Sequence, residues 1–348
     1  MGTPWPHGGL LRLLAEAAAH QRACAWSEAA LCYAQIADQA SGEARAQALL
    51  AAADCLRRDD RLAPAARMLR DARADATGTR AVQALLLLAA VLHQTGQLAV
   101  ARDLATEAAG LARDSATRRA VLDTLLGTLS ALGDFSAADA CLEQLRGLGG
   151  PSVAFHDAAR ARLRGDLREA AAQYRAAVAQ VQATPGAAGA VAAAQMSLAE
   201  VALLDGQPAL AAERYAQAGT HWAAARRRSG VYRSEAGQLR AALCAGEVPL
   251  PRALDDRIDF ARARQLALLE SHLRIVRAGA RHRAGQPGAA EDLQAAVSLA
   301  GDARFLEGRA RLGLRTLGLP VDHAHLRTCL DGDAVWGAVL AGQRPMVW

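Results

Sequence analysis

The sequence predicts an all-α protein, an α-solenoid of about eight to nine antiparallel helix–turn–helix repeats with C-terminal capping helices. Three observations carry this. Of 348 residues, 52% are hydrophobic but only 4% aromatic. That apolar content is mostly Ala and Leu, which favour helix, while Val and Ile are too sparse for buried strands. A turn residue followed by apolar or small residues at fixed distances recurs along the chain. Each turn is also preceded by apolar residues three, four and seven apart, which share one helical face.

The clearest copy is "GQLAVARDLATEA", where Gly96 is followed by Leu98 at +2, Ala101 at +5, Ala105 at +9 and Ala108 at +12. The same spacing gives Gly133, Phe135, Ala138, Leu142 and Leu145, then Gly165, Leu167, Ala170, Tyr174 and Ala177. It recurs as Gly206, Pro208, Ala211, Tyr215 and Ala218, and as Gly285, Pro287, Ala290, Gln294 and Val297. Upstream the glycine is replaced: Cys24 leads Trp26, Ala29, Tyr33 and Ile36, and Asp60 leads Leu62, Ala65, Leu69 and Ala72. A degenerate copy begins at Gly246, where two prolines disturb the helix start. Preceding faces include Leu49, Ala52, Ala53 and Leu56; Leu85, Leu88, Ala89 and Leu92; and Leu198, Ala199 and Ala202. The small residues have a packing reason. Helices joined by a short turn approach closely only where side chains are small, and a larger group there costs about 1–3 kcal/mol.

Later elements follow from local signals. "LRGLGGPS" at 146–152 and "ATPGAAGA" at 183–190 are breakers between repeats. "ARFLEGRARLGLRTL" reads as a ninth helix, ended by "GLP" at 318–320. Asp322 and Asp333 look like N-caps of two short helices. Trp336 and Trp348 suit the covering of a last apolar face. The array is therefore expected over 1–318, with a bend near 148–152, and the capping helices and tail over 319–348.

These residues resemble the tetratricopeptide repeats, over roughly residues 10 to 300. The period here is mostly 36 to 41 residues, nearer the longer variants of large bacterial regulators and adaptors. The consensus aromatic and proline positions are mostly missing. The resemblance implies a right-handed superhelix whose first helices line a concave groove. At the family's groove offsets stand Arg57, Arg58, His93, Gln94, Arg162, Glu200, Arg233, Arg240, His282 and Arg283. The subfamily that clamps a chain terminus with Lys and Asn is excluded, because this sequence has neither.

Catalytic signatures are missing. Without Lys there is no phosphate-binding GxxxxGK loop, and neither GxSxG nor HExxH occurs. The six cysteines have no CxxC spacing and read as buried thiols of a reducing compartment. His325 and Cys329 share a helix face with His323 nearby, but two candidate ligands fall short of a metal site. No catalytic residue, metal or cofactor is expected. A leader peptide is not apparent, and no apolar run approaches the ~20 residues that span a bilayer. The expected location is cytoplasmic.

A net charge of +5 permits an acidic partner without demanding one. The expected function is a non-enzymatic scaffold binding a protein or peptide, with an acidic segment as one candidate. Two alternatives stand beside it. One is a sensor or oligomerisation module of a bacterial transcriptional regulator. The other is a nucleic-acid binder using Arg226, Arg227, Arg228 and Arg233 near Trp222 and Tyr232, with Arg274, Arg277, Arg281 and Arg283 as a second basic string.

Overall fold

A computed structural model describes residues 7–182, 187–344, 346 and 348. The expected breaker at 183–190 lies outside the described residues over 183–186. Among the described residues every regular element is helical, with no strand. They form two compact units, one of Met1–Thr95 with Ala99–Leu125, the other of Gly96–Leu98 with Leu126–Trp348.

The repeat register appears directly in the backbone. All eight expected turn positions, Cys24, Asp60, Gly96, Gly133, Gly165, Gly206, Gly246 and Gly285, have positive φ. Glycine reaches that region freely, whereas Cys24 and Asp60 are held there against a steric cost. The small positions are closed off as expected. Ala29, Ala65, Ala101, Ala138, Ala170 and Ala211 are all fully buried.

In the first unit, helices α1 (His7–Arg22), α2 (Trp26–Asp38), α3 (Gly42–Arg58), α4 (Leu62–Asp75) and α5 (Gly78–Gln94) alternate direction, each packed on the next. Helix α6 (Leu98–Leu111) follows, and α7 (Ser115–Leu132) begins here. A ladder of polar contacts joins residues one repeat apart. Glu43 accepts from the Thr77 N–H and hydroxyl at 3.0 Å, and Arg73 meets Glu107 at 2.7 Å. Arg45 meets Asp75 at 2.5 Å.

The second unit contains α8 (Phe135–Leu148), α9 (Pro151–Leu163), α10 (Leu167–Gln182), α11 (Ala188–Leu204), α12 (Pro208–Ala224) and α13 (Arg228–Cys244). A 3-10 turn (Pro251–Leu254) then leads into the short α14 (Asp255–Ala263), as the prolines foretold. Next come α15 (Ala267–Arg283), α16 (Ala289–Ala300), α17 (Arg304–Thr316), α18 (His323–Leu330) and α19 (Ala334–Leu340).

One register differs from expectation. In the repeat after Gly285, the buried residues are Ala289, Leu293 and Ala296, not Ala290, Gln294 and Val297. Pro287 and Gly288 lengthen the loop. Gly288, at φ 89°, becomes the residue that precedes α16. The helix starts two residues later after its turn than in the regular repeats, and its buried face falls one residue earlier than the repeat spacing predicts.

The two expected N-caps form. Asp322 accepts from the N–H groups of Ala324 and His325, and Asp333 from those of Val335 and Trp336. Helix α18 packs on α17. Trp336 does not cover an end face. With Val335 and Val339 it joins the core formed by Ala158 and Ala161 of α9, Tyr174 of α10 and Leu198 and Val201 of α11. The C-terminal segment of this unit turns back onto its earlier repeats. No described helix is long and apolar enough to cross a membrane.

Candidate functional site

The first helices α3 and α5 border an open cleft of about 960 Å³, lined by Glu43, Gln47, Asp54, Arg57, Arg58, Thr77, Arg80 and Gln83 among others. Its floor is aliphatic, with Leu50, Ala51, Leu86 and Leu87. Two of the groove residues expected from sequence lie here. Arg57 donates to Asp54 at 2.6 Å, and Arg58 donates to the other carboxylate oxygen at 2.8 Å. Burial alone would raise the Asp54 carboxyl, but the two guanidinium charges outweigh it and hold it below its ordinary value. The Arg58 guanidinium also stacks over the Trp26 ring, 5.0 Å from its centroid, and its side chain is 48% exposed. Arg80 donates to Glu43 at 2.6 Å and to Gln47 at 3.0 Å. Three cations and two anions thus line the cleft, and each anion is already paired. His93 and Gln94 lie in the last turn of α5, both half-buried.

The first helices of the second unit present a different picture, because the chain itself fills the space beside them. Arg162 in the last turn of α9 donates to Asp333 at 2.9 Å. Arg240 on α13, only 2% exposed, donates to Glu200 on α11 at 2.6 Å and also to the main-chain oxygen of Trp348. The Tyr215 hydroxyl donates to the same Glu200 carboxylate at 2.9 Å. Burial pushes Glu200 up, but the charges of Arg240 and Arg309 reverse this and hold it well below the carboxylate range. Burial and the Glu200 charge together raise Tyr215 far above its ordinary value, so it remains a neutral donor. The Trp348 ring lies over two glycines. A Cβ on Gly279 would stand 2.6 Å from its Cγ, and one on Gly313 would stand 3.1 Å from the indole. His282 and Arg283 end α15 and are exposed. The His282 ring lies 5.6 Å from Trp348, and Arg283 donates to the Leu243 carbonyl at 3.2 Å. Arg233 is exposed on α13.

The structure therefore gathers Glu200, Arg240 and His282 around Trp348, with Arg162 anchoring the turn before α19. Arg57 and Arg58 belong to the cleft of the first unit. Sequence reasoning did not find Tyr215 or Arg309 in polar roles, nor Asp333 as the partner of Arg162. Arg309 stacks on Trp336 at 5.3 Å, and its Nε and Nη2 have no hydrogen-bond partner.

Parts of both basic clusters are engaged within the chain, and Arg226, Arg228 and Arg233 are exposed. Trp222 donates to the Met196 sulfur at 3.4 Å, and Arg227 stacks on its ring. Tyr232 sits edge-on to Phe260, with Arg257 over it. In the second string, Arg274, Arg277 and Arg281 all donate to Asp292, which is 1% exposed. These arginines tie α15 to α16.

Fold and surface together define an all-helical repeat protein. No protein-family model matches the chain, and no curated protein matches it. Among solved structures it is similar to a Rap protein complexed with Competence and Sporulation Factor. The TM-score is 0.61 at 13% identity, over 97% of this chain and 100% of that one. At that identity the likeness shows the fold alone, a helical-repeat solenoid.

Proposed function

We propose that the chain is a non-enzymatic scaffold of the tetratricopeptide-repeat kind, which binds an extended peptide segment carrying acidic residues in the cleft between α3 and α5. The observation that carries this reading is the contrast between the two first-helix faces. The face of the second unit is occupied by the protein's own C-terminal residues, whereas the cleft of the first unit is open, polar at its rim and aliphatic at its floor. Gln47 and Gln83 offer both donor and acceptor groups to a peptide backbone. Arg58, half-exposed, offers a planar fork to a carboxylate. His93 and Gln94 extend the same helix and would meet a longer segment. The solved neighbour, bound to Competence and Sporulation Factor, supports a binding role for this architecture.

The test is selection of an acid-enriched peptide library on the full chain, followed by affinity measurements. An Arg58→Gln variant, which keeps the Arg57–Asp54 bond, should lose about tenfold in affinity, about 1.4 kcal/mol, with only a small change in melting temperature. If selection enriches no peptide over the variant, the cleft is not the binding surface.

A further inference from the structure

Helices α17 and α18 meet at a corner where a third metal-ligand type joins the two seen in the sequence. Asp322 caps α18 by accepting from the N–H groups of Ala324 and His325, which fixes the first turn. His325 and Cys329, four residues apart, then project from one face. Gly308 of α17 lets α18 come close, since a Cβ there would stand 3.0 Å from the Cys329 Cβ and 2.7 Å from Leu330. That approach brings Glu307 to the same spot. Cys329 Sγ lies 3.4 Å from His325 Nε2 and 3.7 Å from Glu307 Oε2, and His325 Nε2 lies 2.9 Å from Glu307 Oε1. All three ligand atoms fall within 4.8 Å of one another.

We propose that Glu307, His325 and Cys329 form a zinc-binding site. Zinc–ligand bonds of about 2.0–2.3 Å at tetrahedral angles put neighbouring N, O and S ligand atoms roughly 3.3–3.6 Å apart. The two edges to sulfur, from Nε2 and from Oε2, already fit, and the His325 bond to Oε1 gives way as Oε2 turns to the ion. A thiolate with an imidazole selects a borderline-soft ion such as Zn²⁺ over Mg²⁺ or Ca²⁺. On binding, the Cys329 thiol proton leaves to solvent and a zinc–sulfur bond forms. His325 binds as the neutral tautomer, with its proton on Nδ1. One thiolate and one carboxylate balance the two charges of the ion. Arg311 donates to Glu307 Oε1 at 2.8 Å. It stays there as an outer partner that orients the carboxylate, so that Oε2 faces the ion. Three protein ligands leave a fourth position for water.

The experiment uses the full chain, reduced and stripped with chelator. Titrate with Co²⁺ and read the thiolate-to-cobalt charge-transfer absorption, then displace with Zn²⁺ against a chromophoric chelator. One ion per chain is expected, with a thiolate band. Loss of an outer partner of a metal ligand costs 10–100-fold in affinity, so Cys329→Ser and His325→Gln should each cost at least about 100-fold. Cys244→Ser, which removes an exposed thiol elsewhere, should change nothing. His325 is exposed, so His325→Gln keeps the test valid if Cys329→Ser proves unstable. Absence of a thiolate band, or a band that survives both substitutions, overturns the proposal.

Discussion

Replacing Arg240 by Met separates two roles that its position permits, a brace inside the second unit and a contact for a partner. The guanidinium is 2% exposed and donates to Glu200 at 2.6 Å and to the Trp348 main-chain oxygen. Removing one partner of a buried ion pair typically costs about 3–5 kcal/mol, because the other charge is left uncompensated. Glu200 keeps the Tyr215 hydroxyl, and its side chain is 24% exposed. Water therefore recovers part of its solvation, which places the expected loss near the low end, about 3 kcal/mol. For a cooperative unit of 150–250 residues each kcal/mol moves the melting temperature by about 2–4 °C, so a drop of roughly 6–12 °C should follow. Urea unfolding by circular dichroism gives the free energy, and the fluorescence of Trp222, Trp336 and Trp348 reports the same unit. A double-mutant cycle with Glu200→Gln isolates the pair. The double variant removes both charges and should regain most of the loss, with a coupling energy of at least about 2 kcal/mol. If Arg240→Met costs less than about 1 kcal/mol, or if the two losses simply add, the brace is refuted and Arg240 is free to serve a partner.

Ala101 is fully buried, so Ala101→Leu should overpack the first unit and destabilise it by about 1–3 kcal/mol in chemical denaturation; parent-like unfolding would show that the site has unfilled room. His272 is held well below its ordinary value, first by burial and then by the charges of Arg309, Arg240 and Arg233. The unfolded chain therefore binds this proton below about pH 6.5 while the folded chain stays neutral. Its contribution is complete above that pH and should fade on acidification at up to about 1.4 kcal/mol per pH unit. A pH series of denaturation curves for His272→Gln should be flatter than the parent's between pH 6.5 and 5, and an identical slope would exclude His272 as the source.

What the sequence could disclose was whatever repeats or is settled by neighbours along the chain. Turn positions recur because each repeat needs a residue at positive φ, and even Cys24 and Asp60, which lack glycine's freedom, were found from spacing alone. Caps were legible because a carboxylate two or three residues before exposed N–H groups has one obvious use, as Asp322 and Asp333 show. The slipped face of α16 was not, since counting from Gly285 assumes a loop of constant length and the Pro287–Gly288 insertion changes it. The polar chemistry was least legible, and for one physical reason. Arg162 meets Asp333, Arg240 meets Trp348, and Glu307 meets Cys329 across turns of the fold that no period spans. A groove position defined by repeat offset says which way an arginine points, but not what the rest of the chain has placed there. That distinction makes Arg57 and Arg240, both placed in the groove by offset, different in kind. Arg57 borders an open cleft, where its strongest bond is to Asp54 on the same helix. Arg240 is held by Glu200 from another helix and by the returning chain. A partner could therefore meet Arg57 with the fold unchanged, but could reach Arg240 only by displacing Trp348 from its seat over Gly279 and Gly313.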